Sequence, residues 1–198
     1  ILRCLVGSEM CIRDRQKALE FARNRKQGHA KIDNRKGVIL DHPDVRRMLI
    51  TMKSLTAAVR ALCLDAALSL DLSKSNDKQL ASKESARASF LIPIAKAFST
   101  DIGCRVADIG IQVHGGMGYV EETGVAQVFR DVRVTAIYEG TNGIQAIDLV
   151  GRKLADSGKA ANGLIDEMKL TISNCSNHED QQIREMGTRL SKSLVCLE

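Results

Sequence analysis

Apolar residues recur at three- and four-residue spacing along most of this chain, which is the signature of amphipathic helices. In QKALEFARNR, Gln16 to Arg25, the apolar positions Ala18, Leu19, Phe21 and Ala22 predict the end of a helix, followed by a polar loop from Gly28 to Gly37. Asp41 offers a cap and Pro43 suits a first helical turn, after which Val45, Met48, Leu49, Met52, Leu55, Val59, Leu62, Ala66 and Leu70 predict a helix of about 30 residues. The polar stretch Leu72 to Gln79 reads as a turn. A second long helix is predicted from about Lys83 through Ala86, Phe90, Ile94, Ala97, Phe98, Ile102, Val106 and Ile109, with Pro93 implying a kink or a late start.

Gly115-Gly116-Met117-Gly118 is too glycine-rich for a helix, and a shorter helix is expected over Glu121 to Val132 with Val125, Val128 and Phe129 on its apolar face. The segment from Arg133 to Gly140 reads as short and extended. Thr141 is a good N-cap for a final core helix carrying Ile144, Ile147, Leu149, Val150 and Leu154, which Gly158 ends. Two weaker amphipathic patterns follow, around Leu164 to Ile172 and over Ile183, Met186, Leu190 and Leu194. Long helices with short connections must bury their apolar stripes on one another, so the fold expected is all-α, an antiparallel bundle of about four helices.

The first fifteen residues, ILRCLVGSEMCIRDR (Ile1 to Arg15), do not begin with Met, lack a signal-peptide layout and match no periodic template. They resemble a peptide that recurs when sequencing-library adapters are translated, so a non-native segment is expected at 1–15, a helical domain at 16–154 and a helical extension at 155–198.

Composition supports the helical reading: 3% aromatics and two prolines argue against disorder and against an aromatic-rich β-sandwich. The net charge of +5 arises from 29 basic residues scattered among 24 acidic ones, so no stripe suited to nucleic-acid phosphates is expected. No apolar run approaches the roughly 20 residues of a membrane span. The six cysteines (Cys4, Cys11, Cys63, Cys104, Cys175, Cys196) form no C-x-x-C pair and read as reduced core residues of an intracellular protein.

A helical bundle often holds two metals through Glu-x-x-His pairs, but no glutamate here has a histidine three residues on, and His29, His42, His114 and His178 fall on predicted loops or helix starts. No metal site is expected. A nucleophile elbow is also missing. Chemistry concentrates instead in Ile111 to Gln145, where two glycine-containing loops bracket a short helix and Glu139. Glycine-rich loops at helix starts let backbone N–H groups approach a phosphate or another bulky polar ligand, and equally serve as tight turns. Glu139 has two readings from residue types alone. It either complements the dipole of the following helix, or, buried against Ile137 and Tyr138, acts as a general base toward a weakly acidic C–H proton.

Over about Gln16 to Leu154 the sequence resembles the acyl-CoA dehydrogenase family, specifically its C-terminal domain. The resemblance rests on RKQG (Arg25 to Gly28), HPDVRRML (His42 to Leu49), GIQVHGGMGYVEETG (Gly110 to Gly124), Arg130-Asp131 and IYEGTNGIQ (Ile137 to Gln145). By that resemblance Glu139 is the catalytic base, Gly140 lies against the substrate thioester with Tyr138 beside it, and Thr141 reaches FAD. Gln112, Gly115 and Gly116 match the loop that contacts the FAD of a neighbouring subunit, and Arg25 matches the arginine that meets its pyrophosphate. Two positions depart from the family: Gln27 replaces an aromatic residue and Gly143 a frequent Gln, which touches individual FAD contacts. The pattern with LVGRKL (Leu149 to Leu154) and a helical extension is similar to the longer bacterial-type members.

The resemblance implies FAD as cofactor, an acyl-CoA substrate, dehydrogenation to a trans-2-enoyl-CoA, electron-transferring flavoprotein as partner, and a homodimer or homotetramer. It also implies a cytoplasmic location in a bacterium or the mitochondrial matrix in a eukaryote. The family's N-terminal helical and middle β-domains are not in this sequence, so the chain alone is expected to be inactive. The competing readings are a non-catalytic helical interaction module and a relative that binds nucleic acid through an added basic face.

Overall fold

A computed structural model describes the backbone of residues 2–28 and 37–197, and side chains from residue 9 onward in that range. His29 and most of the loop expected between Gly28 and Gly37 lie outside the described residues. The described structure is helical throughout, apart from one isolated antiparallel bridge between Lys26 and Val38. It divides into two compact units, Ile1–Asp148 and Leu149–Glu198.

The first unit is built on three long helices, α1 (Leu2–Asn24), α2 (Pro43–Leu72) and α3 (Lys78–His114). Pro43 opens α2, where its missing N–H costs no hydrogen bond. Met48, Met52, Val59, Cys63 and Ala66 form the buried stripe of α2, and each large side chain fully buried there contributes roughly 1.5–3 kcal/mol. A short turn returns the chain antiparallel as α3, and the Arg87–Asp65 ion pair (2.9 Å) ties the two helices. Helix α1 runs in the same sense as α3, with Asp14 beside Gly110 and Phe21 against His114. The short helices α4 (Gly116–Tyr119), α5 (Val125–Arg133) and α6 (Asn142–Asp148) complete the unit, with α5 packed on α3 as the fourth member of the bundle. The expected all-α bundle is thus present.

Several local expectations are corrected. Residues before Gln16 do carry a helical stripe, Cys11, Asp14, Ala18 and Ala22, all buried; the carboxylate at its second position hid the period. Helix α3 begins at Lys78 because the Asp77 carboxylate accepts from the backbone N–H groups of Gln79 (2.9 Å) and Leu80 (3.2 Å). A late start at Pro93 is therefore ruled out, and Pro93 lies inside the helix. The glycine-rich stretch is helical at Gly116–Tyr119, since Gly118 is the side on which α4 presses against Ile111 and His114. Val134–Ala136 is a 3-10 turn rather than an extended segment: α5 continues into it, and the Thr135 hydroxyl donates to the Val132 carbonyl (2.6 Å). His114 ends α3 and sits on neither a loop nor a helix start. Helix α6 is not a core helix, for it has no buried residue and Ile144 and Ile147 are exposed.

In the second unit, α7 (Lys159–Ser176) and α8 (Gln181–Leu194) form a helical hairpin. Asp180 caps α8 by accepting from Gln182 N–H (2.7 Å), and Gly187 allows the close crossing, since a Cβ there would come within 2.6 Å of Cys175 Cβ. Cys11, Cys63, Cys104, Cys175 and Cys196 are all thiols; Cys11 and Cys63 are core residues, whereas Cys196 is exposed at the end of the chain, against expectation. No described helix is long and apolar enough to cross a membrane.

Candidate functional site

The candidate residues gather at two places along α3. The first is an open cavity of about 700 Å³ at its C-terminal end, bounded by Phe21, Arg25, Gly28, His42, Gln112, Gly115 and Gly116 among others. Arg25 follows α1, and two backbone bonds hold it beside the segment 37–39: Ile39 N–H donates to the Arg25 carbonyl (2.9 Å) and Gln27 N–H to that of Gly37 (2.9 Å). The His42 ring hydrogen-bonds the Gln27 carbonyl (3.0 Å). Gly28, at φ +75°, packs so close that a Cβ would lie 3.2 Å from that ring.

On the facing wall α3 ends at Gly115, whose φ of +59° and ψ of −139° suit glycine. A Cβ at Gly115 or Gly116 would meet nothing within 4 Å, so the bare backbone of this loop is open to a ligand. His114 Nδ1–H donates to the Gly110 carbonyl (2.8 Å), and its ring stacks on Phe21 with centroids 4.4 Å apart. Burial pushes the His114 pKa below its ordinary value, which favours the neutral ring. Arg25, Gln112, Gly115 and Gly116 are thus brought together around one cavity, with a cationic side chain and exposed backbone. That donor set fits an anionic, phosphate-bearing cofactor such as FAD.

The second place is the loop Tyr138–Thr141, between the 3-10 turn and α6. Glu139 takes φ +54°, the left-handed region, and Gly140 follows at φ +86°. Gln145 reaches back to donate to the Glu139 carbonyl (3.3 Å). Thr141 accepts the first backbone bond of α6, from Gln145 N–H (3.1 Å), as expected of a residue at the helix start. Glu139 is exposed, and so is Ile137 at 53%; the expected burial of the carboxylate against Ile137 and Tyr138 is not found within this chain. The geometry departs from expectation because the backbone at Glu139 turns left-handed in an exposed loop.

Beneath this loop lies a polar cluster that sequence reading missed. The buried Lys96 ammonium donates to the Gly140 carbonyl (2.7 Å) and to Asn142 Oδ1 (2.8 Å). Asn142 Nδ2 donates in turn to Asp101 Oδ1 (2.7 Å) and Thr100 Oγ1 (3.1 Å). A lysine in the flank of an apolar helical stripe, four residues before a threonine, was the available signal. Sixteen residues of helix separate Lys96 from Gln112, so the two places lie roughly 24 Å apart along α3. One copy of the chain does not join them. No group of three or more His, Cys, Asp and Glu side chains suited to a metal is present among the described residues.

The fold is thus an all-α bundle domain with an Arg25- and glycine-lined cavity at the C-terminal end of α3 and the Glu139 loop over the middle of that helix. Residues 3–155 match the family model described as acyl-CoA dehydrogenase, C-terminal domain, and the chain belongs to that family. It is 44% identical over 158 residues to 3-methylmercaptopropionyl-CoA dehydrogenase of Ruegeria pomeroyi, covering 78% of this chain and 27% of that protein. To a butyryl-CoA dehydrogenase of Syntrophomonas wolfei it is 39% identical over 141 residues, covering 69% of this chain and 23% of the other. Among solved structures, ACDH-11 of Caenorhabditis elegans in complex with C11-CoA superposes with a TM-score of 0.77 at 23% identity, over 98% of this chain and 31% of that one, which shows a shared fold. The chain spans about a quarter of the length of the two curated relatives, 27% and 23%.

Proposed function

We propose that this chain is the C-terminal part of an FAD-dependent acyl-CoA dehydrogenase, and that Glu139 removes the α-proton of an acyl-CoA thioester to give a trans-2-enoyl-CoA. The observation that supports this most is the conformation at Glu139: a non-glycine residue at φ +54°, exposed, in a loop anchored from below by Lys96. Left-handed backbone at a non-glycine residue costs on the order of 1–3 kcal/mol and persists where the surroundings enforce it, often at functional sites. An exposed carboxylate in this loop suits a base acting on a substrate that lies across it. Exclusion of water by the bound acyl chain then strengthens a carboxylate as a base toward a C–H proton.

FAD, when bound, supplies acceptance of the β-hydrogen as hydride. Arg25 would meet its pyrophosphate and Gln112 with the Gly115–Gly116 backbone would contact it from a neighbouring subunit, while Thr141 would reach it from the chain that carries Glu139. Gly140 lies against the thioester in this reading, and its φ of +86° and a Cβ that would press on Ile144 and Gln145 at 3.3 Å both favour glycine there. The resemblance to 3-methylmercaptopropionyl-CoA dehydrogenase and butyryl-CoA dehydrogenase supports an acyl-CoA as substrate; electron-transferring flavoprotein as electron acceptor and a homodimer or homotetramer as the working form complete the proposal. In this reading the 198-residue chain alone does not turn over substrate.

Glu139→Gln in the full-length protein tests the assignment. Bleaching of the flavin absorbance by acyl-CoA is expected to slow by roughly 10²–10⁴-fold, the usual contribution of a general base, with FAD content unchanged. Retention of full bleaching would leave the helical interaction module as the better reading.

A further inference from the structure

Glu139 and Gly140 both have positive φ, so their loop does not hold its shape by backbone preference alone. Lys96 lies directly beneath them on α3, only 8% exposed. An ammonium taken out of water is costly unless its protons find acceptors. Here it donates to the Gly140 carbonyl at 2.7 Å and to Asn142 Oδ1 at 2.8 Å, so the cation bridges the residue after the proposed base and the first residue of α6.

The second acceptor is itself fixed. Asn142 Nδ2 donates to Asp101 Oδ1 (2.7 Å), to Thr100 Oγ1 (3.1 Å) and to the Ala97 carbonyl (3.3 Å). A carboxylate on one side and an ammonium on the other leave Asn142 a single favourable amide orientation. One face of α3 thus grips both ends of the Gly140–Asn142 segment, through a rigid helix rather than another loop.

We propose that Lys96 is a positioning residue for this reaction: by holding the Gly140 carbonyl and the Asn142 amide it keeps Glu139 in the geometry needed to take the α-proton. The proposal rests on the reading of Glu139 as the base. Lys96 acts through the backbone, so its loss misplaces the carboxylate while leaving most substrate contacts intact. Misplacement of a catalytic group by about an ångström costs on the order of a hundredfold in rate.

Two measurements test it. In the full-length holoenzyme, Lys96→Met is expected to lower kcat roughly a hundredfold with KM for acyl-CoA within about threefold, the pattern of an interaction that matters in the transition state. In the 198-residue chain, the same substitution is expected to speed amide hydrogen exchange about tenfold or more at Gly140 to Ile144 and leave the α2–α3 core amides unchanged. Arg87→Met, which removes the Arg87–Asp65 pair on the same two helices, is the control: it lowers thermal stability and leaves kcat unchanged.

A Lys96→Met enzyme with kcat within about threefold of the parent overturns the proposal, as does an equal kcat loss in Arg87→Met at matched stability. If Lys96→Met does not fold, Asn142→Ala decides, with a kcat loss of about tenfold expected and no loss overturning the idea. Glu139→Gln run in parallel separates the two readings: full activity in that variant removes the base assignment itself, whereas an inactive Glu139→Gln beside a fully active Lys96→Met removes only the role of Lys96.

Discussion

Asp14 occupies the second position of the buried stripe of α1, 2% exposed, and its Oδ1 has no hydrogen-bond partner. Burial pushes its pKa up to about 7, against the smaller opposing pull of Lys17 and Arg13. Because the folded-state value is raised, the folded chain binds the extra proton between about pH 4 and 7, and stability falls as pH rises through that window. The loss is complete above pH 7 and on the order of 4 kcal/mol. Asp14→Asn keeps the shape and removes the ionisation, so at pH 8 it is expected to raise the melting temperature clearly, while at pH 4 the two chains melt together. Equal melting temperatures at pH 8 would show that Asp14 is hydrated. The same residue explains why the start of α1 was illegible in the sequence: an acid in an apolar stripe reads as an interruption. Lys96 was hidden for the opposite reason, since a lysine on a helix is ordinarily solvated and only the fold reveals the carbonyl it serves.

At the scale of elements, the long helices were legible and their ends were not. Helix α2 runs Pro43–Leu72, as its spacing and its N-terminal proline predict. Helix α3 extends past both expected ends because Asp77 caps it and because Ile111 and His114 are pinned by α4. Those contacts are made by residues distant from the apolar pattern, so periodicity carries no trace of them. Asp77→Ala is expected to cost about 1 kcal/mol in denaturant unfolding, the usual value of an N-cap with two backbone bonds. Gly118→Ala is more severe. A Cβ there would lie 2.5 Å from the Ile111 carbonyl oxygen and 2.9 Å from its Cα, so α4 must move away from α3. A loss of roughly 1–3 kcal/mol is expected, together with weaker FAD retention in the full-length protein, because Gly115 and Gly116 shift with α4. Retention unchanged alongside that destabilisation would separate α4 from the cavity wall.

At the scale of the whole molecule, the separation of the two candidate places sets a requirement on assembly. Arg25, Gln112 and the Gly115–Gly116 backbone share one cavity, and the Glu139–Thr141 loop rests on Lys96, roughly 24 Å from Gln112 along α3. The motifs named each residue in the sequence, yet only the length of α3 between Lys96 and Gln112 shows that one chain keeps the two groups apart. If each active site takes Glu139 from one subunit and Arg25 from its neighbour, two inactive variants must repair each other. Full-length Arg25→Ala and Glu139→Gln proteins, each inactive alone, are expected on random mixing of subunits to regain activity at about a quarter of all sites, since half of the pairs are mixed and each mixed pair holds one intact site. The recovered rate is read by acyl-CoA-dependent flavin bleaching after denaturation and co-refolding, against each variant refolded alone. No recovery, with mixed oligomers demonstrated by mass spectrometry, would place Arg25 and Glu139 in the same subunit's site and would require α3 to bend far from the straight path that now holds them apart.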